Sequence, residues 1–255
     1  MTEGRLAVRR LIANSRFRVR AILVTPAAFG SLRGIRGLEV DASPVYVASR
    51  ILIKKIGGYD FHQGCLALAE RPEPETLTAV LGNRRSRRPI VILEQVGNPD
   101  NVGGIFRNAA AFGAAAVLLS PGCCDPLYRK AVRTSIAMSL QIPFAVVDDW
   151  PGGLDVVRRQ GYELIALTPD GQVTCLERHK FFENGRSVAL ILGNEGDGLS
   201  PEALAAADAT VRISLDPTVD SLNVATTAAI VLYHIRSFNE GLARPDTGSS
   251  RRGGR

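Results

Sequence analysis

The chain has 255 residues, of which 45% are hydrophobic, so it can bury a sizeable core and has room for one large domain or two smaller ones. No apolar run reaches the roughly 18 residues of a membrane span and no secretory leader opens the chain, so we expect a soluble, cytoplasmic protein. The four cysteines and three histidines lack metal-ligand spacing, which argues against a disulfide framework and predicts no bound metal.

Positive charge is concentrated in the first third of the chain. Residues 1–88 hold 16 Lys and Arg against 7 Asp and Glu, a net of +9, whereas residues 89–255 hold 15 against 18, a net of −3. Because Lys and Arg neutralise phosphates, this asymmetry predicts a polyanion-binding module followed by a roughly neutral one. The alternative is a solvated basic surface that has no partner.

The N-terminal segment predicts a small α/β unit. Its expected elements are a helix over 4–15, a strand over 20–25, a short strand over 45–48, a helix that Ser49 caps and that ends at Gly57 and Gly58, and a strand over 64–69. Residues 83–89 are polar and strongly basic, which is typical of a linker. We therefore expect a small basic α/β domain over residues 1–82 and a basic linker over 83–89.

From residue 90 onward, strands and helices alternate, which predicts a mostly parallel sheet with helices on both faces over residues 90–240. The predicted strands are 90–96, 115–120, 144–147, 163–168, 188–193 and 210–215, and the predicted helices are 102–112, 126–140, 153–160, 201–207 and 221–239. The last helix is apolar on two sides, so it should be buried in the core or against a partner chain. Residues 241–255 have the composition of a disordered tail.

One stretch, residues 187–202, has the pattern of a ligand site. An apolar run over 188–192 suits a strand buried on both faces, and glycines at 193, 196 and 198 then allow close backbone approach before Ser200 caps a helix. Ligands of open α/β sheets bind at the carboxyl ends of strands, and Glu195 places a carboxylate there. The glycine spacing does not fit the dinucleotide-binding fingerprint. The alternative is an ordinary tight connection.

Two further stretches could carry chemistry. Residues 98–108 follow a strand and open a helix, with Asn101 near its start and Arg107 about one and a half turns in, from where it could reach back toward the strand end. In residues 219–224, Ser221 suits a helix N-cap and Asn223 presents an amide in the first turn. The alternatives are an exposed arginine on an Ala-rich helix and simple helix capping.

Together the three stretches resemble the motifs of the SpoU (TrmH) family of RNA 2′-O-ribose methyltransferases, in the SPOUT superfamily. The matching residues are Asn98-Pro99-x-Asn101-x-Gly103-x-Ile105-x-Arg107, then Leu192-Gly193-Asn194-Glu195-x-x-Gly198-Leu199, then Ser221-Leu222-Asn223-Val224. The resemblance is specific because three motifs occur in order, and it covers residues 90–239. Glu3-Gly4 and His62-Gln63-Gly64 resemble the ends of the small ribosomal-protein-like RNA-binding domain that often precedes this catalytic domain.

The resemblance implies transfer of a methyl group from S-adenosyl-L-methionine (AdoMet) to a ribose 2′-hydroxyl in tRNA or rRNA, without a metal. It also implies a C-terminal trefoil knot and a homodimer that forms through the C-terminal helix. The residues implied for the cofactor are Leu167, Thr168, Gly193, Ile213 and Leu222, and those implied for the reaction site are Asn101, Arg107, Glu195, Ser221 and Asn223. The sequence departs from the family at Ser214, Leu215 and Pro217, where proline, methionine and glycine are common.

A ribose 2′-hydroxyl is a poor nucleophile at neutral pH, so transfer requires removal of its proton or polarisation of its oxygen while the methyl group is held in line. The family view makes Arg107 the base. A guanidinium stays protonated in proteins, so we interpret Arg107 as the group that positions the 2′-oxygen and phosphate and accepts the proton at most transiently. The alternatives are a catalytically idle RNA-binding protein of the same fold and an unrelated nucleotide-using α/β enzyme.

Overall fold

The computed structural model describes residues 1–14, 16–32, 43–57, 64–82, 88–170, 172–182 and 185–243. Within this part of the chain, the N-terminal segment forms a four-stranded sheet in the order β1-β4-β2-β3, in which β2 and β3 are parallel and the other pairs antiparallel. Its elements are β1 (Thr2–Glu3), α1 (Arg5–Ile12), β2 (Val19–Val24), α2 (Pro26–Leu32), β3 (Val45–Val47), α3 (Arg50–Gly57) and β4 (Cys65–Ala69).

The N-terminal elements agree with the sequence prediction except in two places. The Ser49 hydroxyl accepts from the N–H of Leu52 at 3.3 Å, so Ser49 caps α3 as predicted. Strand β1 is not predicted because two residues carry no periodicity, and α2 is not predicted because Pro26 indicates the end of a strand. Proline at the first helical position starts a helix equally well. The predicted end of α3 at Gly58 and the motif residues His62 and Gln63 lie outside the described residues.

The second sheet has seven parallel strands in the order β7-β6-β5-β10-β8-β11-β9. Its elements and their flanking helices are α4 (Leu77–Leu81), β5 (Ile90–Leu93), α5 (Pro99–Phe112), β6 (Ala116–Leu119), α6 (Arg129–Thr134), β7 (Phe144–Val146), α7 (Leu154–Arg159), β8 (Tyr162–Leu167), β9 (Thr174–Cys175), β10 (Ser187–Leu192), α8 (Pro201–Ala206), β11 (Ala209–Arg212) and α9 (Val224–Ala243). The predicted parallel α/β sheet is confirmed. Helix α4 and strand β9 are additions to the predicted elements, and β9 is too short for a sequence pattern.

Strand β10 lies near the centre of this sheet, between β5 and β8, and residues 188–192 are all buried, as the apolar run predicted. The strands bury alternate residues in two hydrophobic clusters, one on each face of the sheet. Helices α5 and α9 contribute to one cluster, and α4 and α7 contribute to the other. Helices therefore cover both faces, as the alternating sequence pattern indicated.

The helix predicted over 126–140 is wrong in length. Helix α6 ends at Thr134, because Ile136 and Ala137 take φ values of 52° and 60°, which no right-handed helix contains. A short 3₁₀ turn follows at Met138–Leu140. Ala137 is fully buried in the core of the N-terminal unit. The helix therefore ends where the two units contact each other, and local sequence cannot reveal such a contact.

The N-terminal unit is packed directly against the larger one. Val8 and Leu11 of α1 share a hydrophobic cluster with Val132 and Leu140, and the Gln141 side chain donates to the Arg10 carbonyl at 3.0 Å. Helix α4 packs in the core of the larger sheet instead, so residues 1–82 contribute to both cores. The predicted disordered tail is wrong at its start, because residues 241–243 belong to α9. The rest of the tail, residues 244–255, and residues 83–87 of the predicted linker lie outside the described residues. No helix in the described part of the chain is long and apolar enough to cross a membrane.

Candidate active site

A cavity of about 680 Å³ opens at the carboxyl ends of β8, β10 and β11. It is lined by the ends of β8 and β10, the loops that follow the three strands, one residue of α8 and the start of α9. These residues are Leu167, Thr168, Pro169, Leu192, Gly193, Asn194, Glu195, Gly196, Asp197, Gly198, Leu199, Leu204, Ile213, Leu215, Asp220, Ser221, Leu222, Asn223, Val224 and Thr227. The place is the one that open α/β sheets use for ligands. All the predicted cofactor residues line it, as do Glu195, Ser221 and Asn223.

The glycine loop, residues 193–199, is folded on itself. A Cβ at Gly193 would stand 2.2 Å from the carbonyl carbon and oxygen of Gly198, so only glycine fits. Gly198 alone of the loop's three glycines takes a positive φ, 73°. The Asn194 side-chain oxygen accepts from the N–H groups of Gly196 and Asp197 at 2.6 and 2.8 Å. The close approach that the sequence predicted at Gly193 is thus an approach to the chain's own backbone.

Two caps fix the helices that begin beside the cavity. The Ser200 hydroxyl accepts from the N–H of Ala203 at 3.1 Å, which confirms it as the N-cap of α8. The prediction that Ser221 caps the last helix is wrong. Asn223 is the cap of α9, because its side-chain oxygen accepts from the N–H groups of Ala225 and Thr226 at 3.0 and 3.2 Å. Ser221 lies two residues earlier, in the loop that lines the cavity.

Asn101, Glu195 and Asn223 form one hydrogen-bonded chain across the edge of the cavity. The Asn223 amide donates to the side-chain oxygen of Asn101 at 2.8 Å, and the Asn101 amide donates to the Glu195 carboxylate. Because capping occupies the oxygen of Asn223, its NH₂ must face Asn101, and the NH₂ of Asn101 must then face Glu195. The structure therefore brings one polar residue from each of the three motifs together in a defined orientation.

Helix α6 holds the start of α5, where Asn101 lies. A Cβ at Gly103 would stand 2.7 Å from the Ala131 carbonyl oxygen, so glycine permits this close packing. Thr134 donates to the Asp100 carboxylate at 3.0 Å, and Lys130 forms an ion pair with it at 2.7 Å. Hydrogen bonds from Lys130 and Thr134 lower the pKa of Asp100 from its usual value.

Arg107 does not join this group. Its side chain is exposed, and it has no hydrogen bond or ion pair with any residue that the structure describes. Nor is it among the described residues that line the cavity. Helix α5 packs against α9 through neighbouring positions, because a Cβ at Gly104 would lie 2.9 Å from the Cβ of Ala225 and Asn108 donates to the Ala225 carbonyl at 2.7 Å. Within one chain, the structure thus assembles Asn101, Glu195, Ser221 and Asn223 and leaves Arg107 outside.

The charge of the cavity is negative. Glu195, Asp197 and Asp220 line it, and no Lys, Arg or His occurs among the described lining residues. Asp197 and Asp220 are not among the predicted site residues, although both adjoin motif residues. In the loop that precedes Asp220, the hydroxyl and N–H of Thr218 donate to Asp216 at 2.5 and 2.9 Å and lower the pKa of that carboxyl.

Residues 88–233 match the model of the SpoU rRNA methylase family. A relative named as an uncharacterized tRNA/rRNA methyltransferase of Mycobacterium bovis is 39% identical over 91% of this chain and 79% of its own length. The chain belongs to the SpoU rRNA methylase family. This confirms the resemblance that the three motifs indicated.

A second relative and a solved structure are also similar to this chain. The 23S rRNA (guanosine(2553)-2′-O)-methyltransferase RlmP of Bacillus subtilis is 28% identical over 75% of this chain and 72% of its own length. The crystal structure of the SpoU methyltransferase AviRb from Streptomyces viridochromogenes in complex with AdoMet has a TM-score of 0.77 at 22% identity. It covers 94% of this chain and 90% of that one, and at this identity the likeness shows the shared fold.

Proposed function

We propose that this SpoU-family protein transfers a methyl group from AdoMet to a ribose 2′-hydroxyl of tRNA or rRNA. The composition of the cavity wall carries the proposal. Leucine and isoleucine side chains suit an adenine ring, whereas Glu195, Asp197 and Asp220 suit a sulfonium cation and would repel the phosphates of a nucleotide cofactor. Membership of the family and the name of the Bacillus subtilis relative support the same reaction.

The residues that would hold AdoMet are those that line the cavity around the strand ends. Leu167, Ile213 and Leu222 supply apolar contact, and Thr168 and Gly193 supply polar backbone or hydroxyl groups at the same rim. When bound, the cofactor supplies an electrophilic methyl group. The chain's own contribution is to fix Glu195 and Asn223 through Asn101 before the ribose arrives, which lowers the cost of orienting it.

A second copy of the chain is part of the proposal, because Arg107 is outside its own cavity. Helices α5 and α9 pack side by side. Arg107 is exposed on α5, and two large apolar side chains are exposed on α9, Ile230 at 38% and Tyr233 at 61%. We take the exposed sides of these two helices as the dimer surface. A homodimer through this surface would cover the apolar side chains. It would also allow Arg107 of one copy to serve the reaction site of the other, where it would position the 2′-oxygen and the phosphate.

The N-terminal unit is proposed to bind the RNA. Its positive net charge favours a polyanion, and its exposed basic side chains include Arg5 in α1, Arg18 just before β2 and Lys55 in α3. Its packing against α6, which in turn holds the start of α5, would keep bound RNA in a fixed relation to the cavity. The domain limits at residues 82 and 90 and the C-terminal knot stay predictions.

The function is tested with purified protein, methyl-labelled AdoMet and RNA lacking natural modifications. We expect label in 2′-O-methylated nucleosides after complete digestion, and none with Glu195→Ala. RNA binding without any methyl transfer would favour a catalytically idle RNA-binding protein. The exposed position of Arg107, away from the cavity of its own chain, is the observation that favours this alternative. Label on a base instead of a ribose would overturn the proposed acceptor.

A further inference from the structure

Glu94 is a buried carboxylate that none of the three motifs includes. It follows β5 directly and is 2% exposed. It is not found among the described residues that line the cavity. A buried charge is unfavourable unless hydrogen bonds compensate it, so the contacts of Glu94 indicate what its burial achieves.

Three donors converge on the Glu94 carboxylate. Oε1 accepts from the indole N–H of Trp150 at 2.6 Å and from the Ser200 hydroxyl at 2.7 Å, while Oε2 accepts from the Ser200 main-chain N–H at 2.8 Å. Both oxygens are therefore used as acceptors, and Ser200 is held by two bonds. Because Ser200 is also the N-cap of α8, Glu94 fixes the end of the glycine loop and the start of that helix together.

The same residue also holds the other end of the loop. The main-chain N–H of Glu94 donates to the Leu192 carbonyl at 2.8 Å, where β10 ends and the glycine loop begins. The next residue, Gln95, takes a left-handed φ of 52°, and its N–H donates to the buried hydroxyl of Ser120 at 2.9 Å. This sharp turn ends the strand at the point where the Glu94 side chain enters the interior.

Inside the loop, the bonds are local. Asn194 binds Gly196, Asp197 and Gly198, so the loop is a small closed unit that carries Glu195 on its exposed side. The bond between Asn194 and Gly198 closes the loop close to its two ends, so releasing the end at Ser200 loosens the bonds inside the loop and also moves Glu195. The position of Glu195 relative to Asn101 therefore depends on how the two ends are held.

We propose that Glu94 is a positioning residue for the methyl-transfer site. Its carboxylate holds Ser200 at one end of the glycine loop while its main chain pairs with Leu192 at the other, and the side chain thereby sets where Glu195 stands. The inference rests on the proposed function of the cavity and adds to it a residue that touches neither cofactor nor RNA. Trp150 donates the third bond and packs beside the carboxylate, which keeps water from it.

Glu94→Gln is the sharpest test because it preserves shape. An amide has one oxygen and one NH₂, so whichever way it turns, the NH₂ faces either the Trp150 indole N–H or the Ser200 main-chain N–H. A buried donor then loses its acceptor. We expect AdoMet affinity to fall about tenfold or more and single-turnover methyl transfer to fall further, because the glycine loop would no longer hold Glu195 beside Asn101.

Two readouts separate positioning from general stability. The first is amide hydrogen exchange without cofactor: in Glu94→Gln, the amides of Gly196 and Asp197 should exchange faster, and not only that of Ser200. The second uses the single tryptophan of the chain, Trp150. Trp150 is not among the described residues that line the cavity. Adding AdoMet to the wild type should nevertheless shift the NMR signal of the Trp150 indole N–H, and this shift should be absent in Glu94→Gln.

The controls are Trp150→Phe and Val231→Ala. Trp150→Phe removes one donor and leaves both bonds to Ser200, so its effect on AdoMet affinity should be the smaller one. Val231→Ala thins the cluster on the other face of the sheet and should lower stability without changing loop exchange or AdoMet affinity. Unchanged exchange at Gly196 and Asp197 in Glu94→Gln would overturn the proposal. If the wild type binds no AdoMet, the proposed function is wrong. The hydrogen-exchange rates of Gly196 and Asp197 would still show whether Glu94 positions the glycine loop.

Discussion

The side-chain amide of Asn223 donates to the side-chain oxygen of Asn101 at 2.8 Å, although 122 positions separate the two residues. The side-chain oxygen of Asn223 caps α9, so its NH₂ group must donate to Asn101, and the NH₂ group of Asn101 then donates to Glu195. The helix cap therefore sets the donor direction of both hydrogen bonds. Asn223 is thus both the cap of α9 and a part of the candidate reaction site.

Asn223→Asp separates these two tasks. A carboxylate can still cap α9, but it cannot donate to Asn101, whose amide would then turn away from Glu195. We expect single-turnover methyl transfer to fall about tenfold or more with little loss of stability. Asn223→Ala is the comparison, because it also loses the cap and should cost about 1 kcal/mol of stability. Normal turnover in the aspartate variant would remove this hydrogen bond from the mechanism.

Gly193→Ala and Gly196→Ala form a matched pair. The added methyl group at position 193 would stand 2.2 Å from Gly198 backbone atoms, whereas at position 196 its nearest contact is the Asn194 side-chain oxygen at 3.4 Å. We expect calorimetry to show that AdoMet binding is lost in Gly193→Ala and nearly kept in Gly196→Ala. Equal binding by both variants would mean that the loop can open without affecting the cavity.

A mixture of two inactive variants tests whether Arg107 acts in its own chain or across a dimer. Arg107→Ala keeps the cavity, and Glu195→Ala keeps the arginine. If Arg107 serves the partner's cavity, each mixed dimer has one intact site, so a fully exchanged equal mixture should recover about a quarter of wild-type activity. No recovery, with mixed dimers demonstrated by mass spectrometry, would place Arg107 in its own site.

The proposed dimer surface is tested by Ile230→Asp. Ile230 is 38% exposed in the single chain, so a charge there should leave the fold intact and yield monomers in sedimentation. Leu232 is the instructive contrast, because it is fully buried in the core of its own chain, so Leu232→Arg would report on folding instead. A wild type that sediments as a monomer at micromolar concentration would contradict the surface altogether.

RNA binding by the N-terminal unit is tested with the intact protein, since removing residues 1–82 would strip α4 and α1 from cores that they share. Replacing both Arg5 and Arg18 with alanine should weaken RNA binding and reduce the slope of log affinity against log salt by up to about two. Arg159→Ala, an exposed arginine on α7, is the control and should leave the slope unchanged. The reverse pattern would move the RNA surface to the larger unit.

Elements whose signals are local can be predicted from the amino-acid sequence alone. The burial of β10, the Ser200 cap and the alternation of strands and helices follow from side-chain period and from hydrogen bonds within a few residues, so a short window contains their cause. The three motifs likewise suffice to indicate the family and some of the residues that line the cavity, such as Gly193, Glu195 and Leu222.

The meeting of distant segments, by contrast, is settled by tertiary packing. It moves the cap of the last helix from Ser221 to Asn223, breaks the helix after Thr134, buries Glu94 against Ser200 and leaves Arg107 exposed. Three of these outcomes accompany contacts between residues far apart in the chain, namely Asn223 with Asn101, Ala137 with the N-terminal unit, and Glu94 with Ser200. No local pattern records the free energy of such contacts. Tertiary packing selects among conformations that the local sequence permits, because only some of them allow the distant segments to pack densely together.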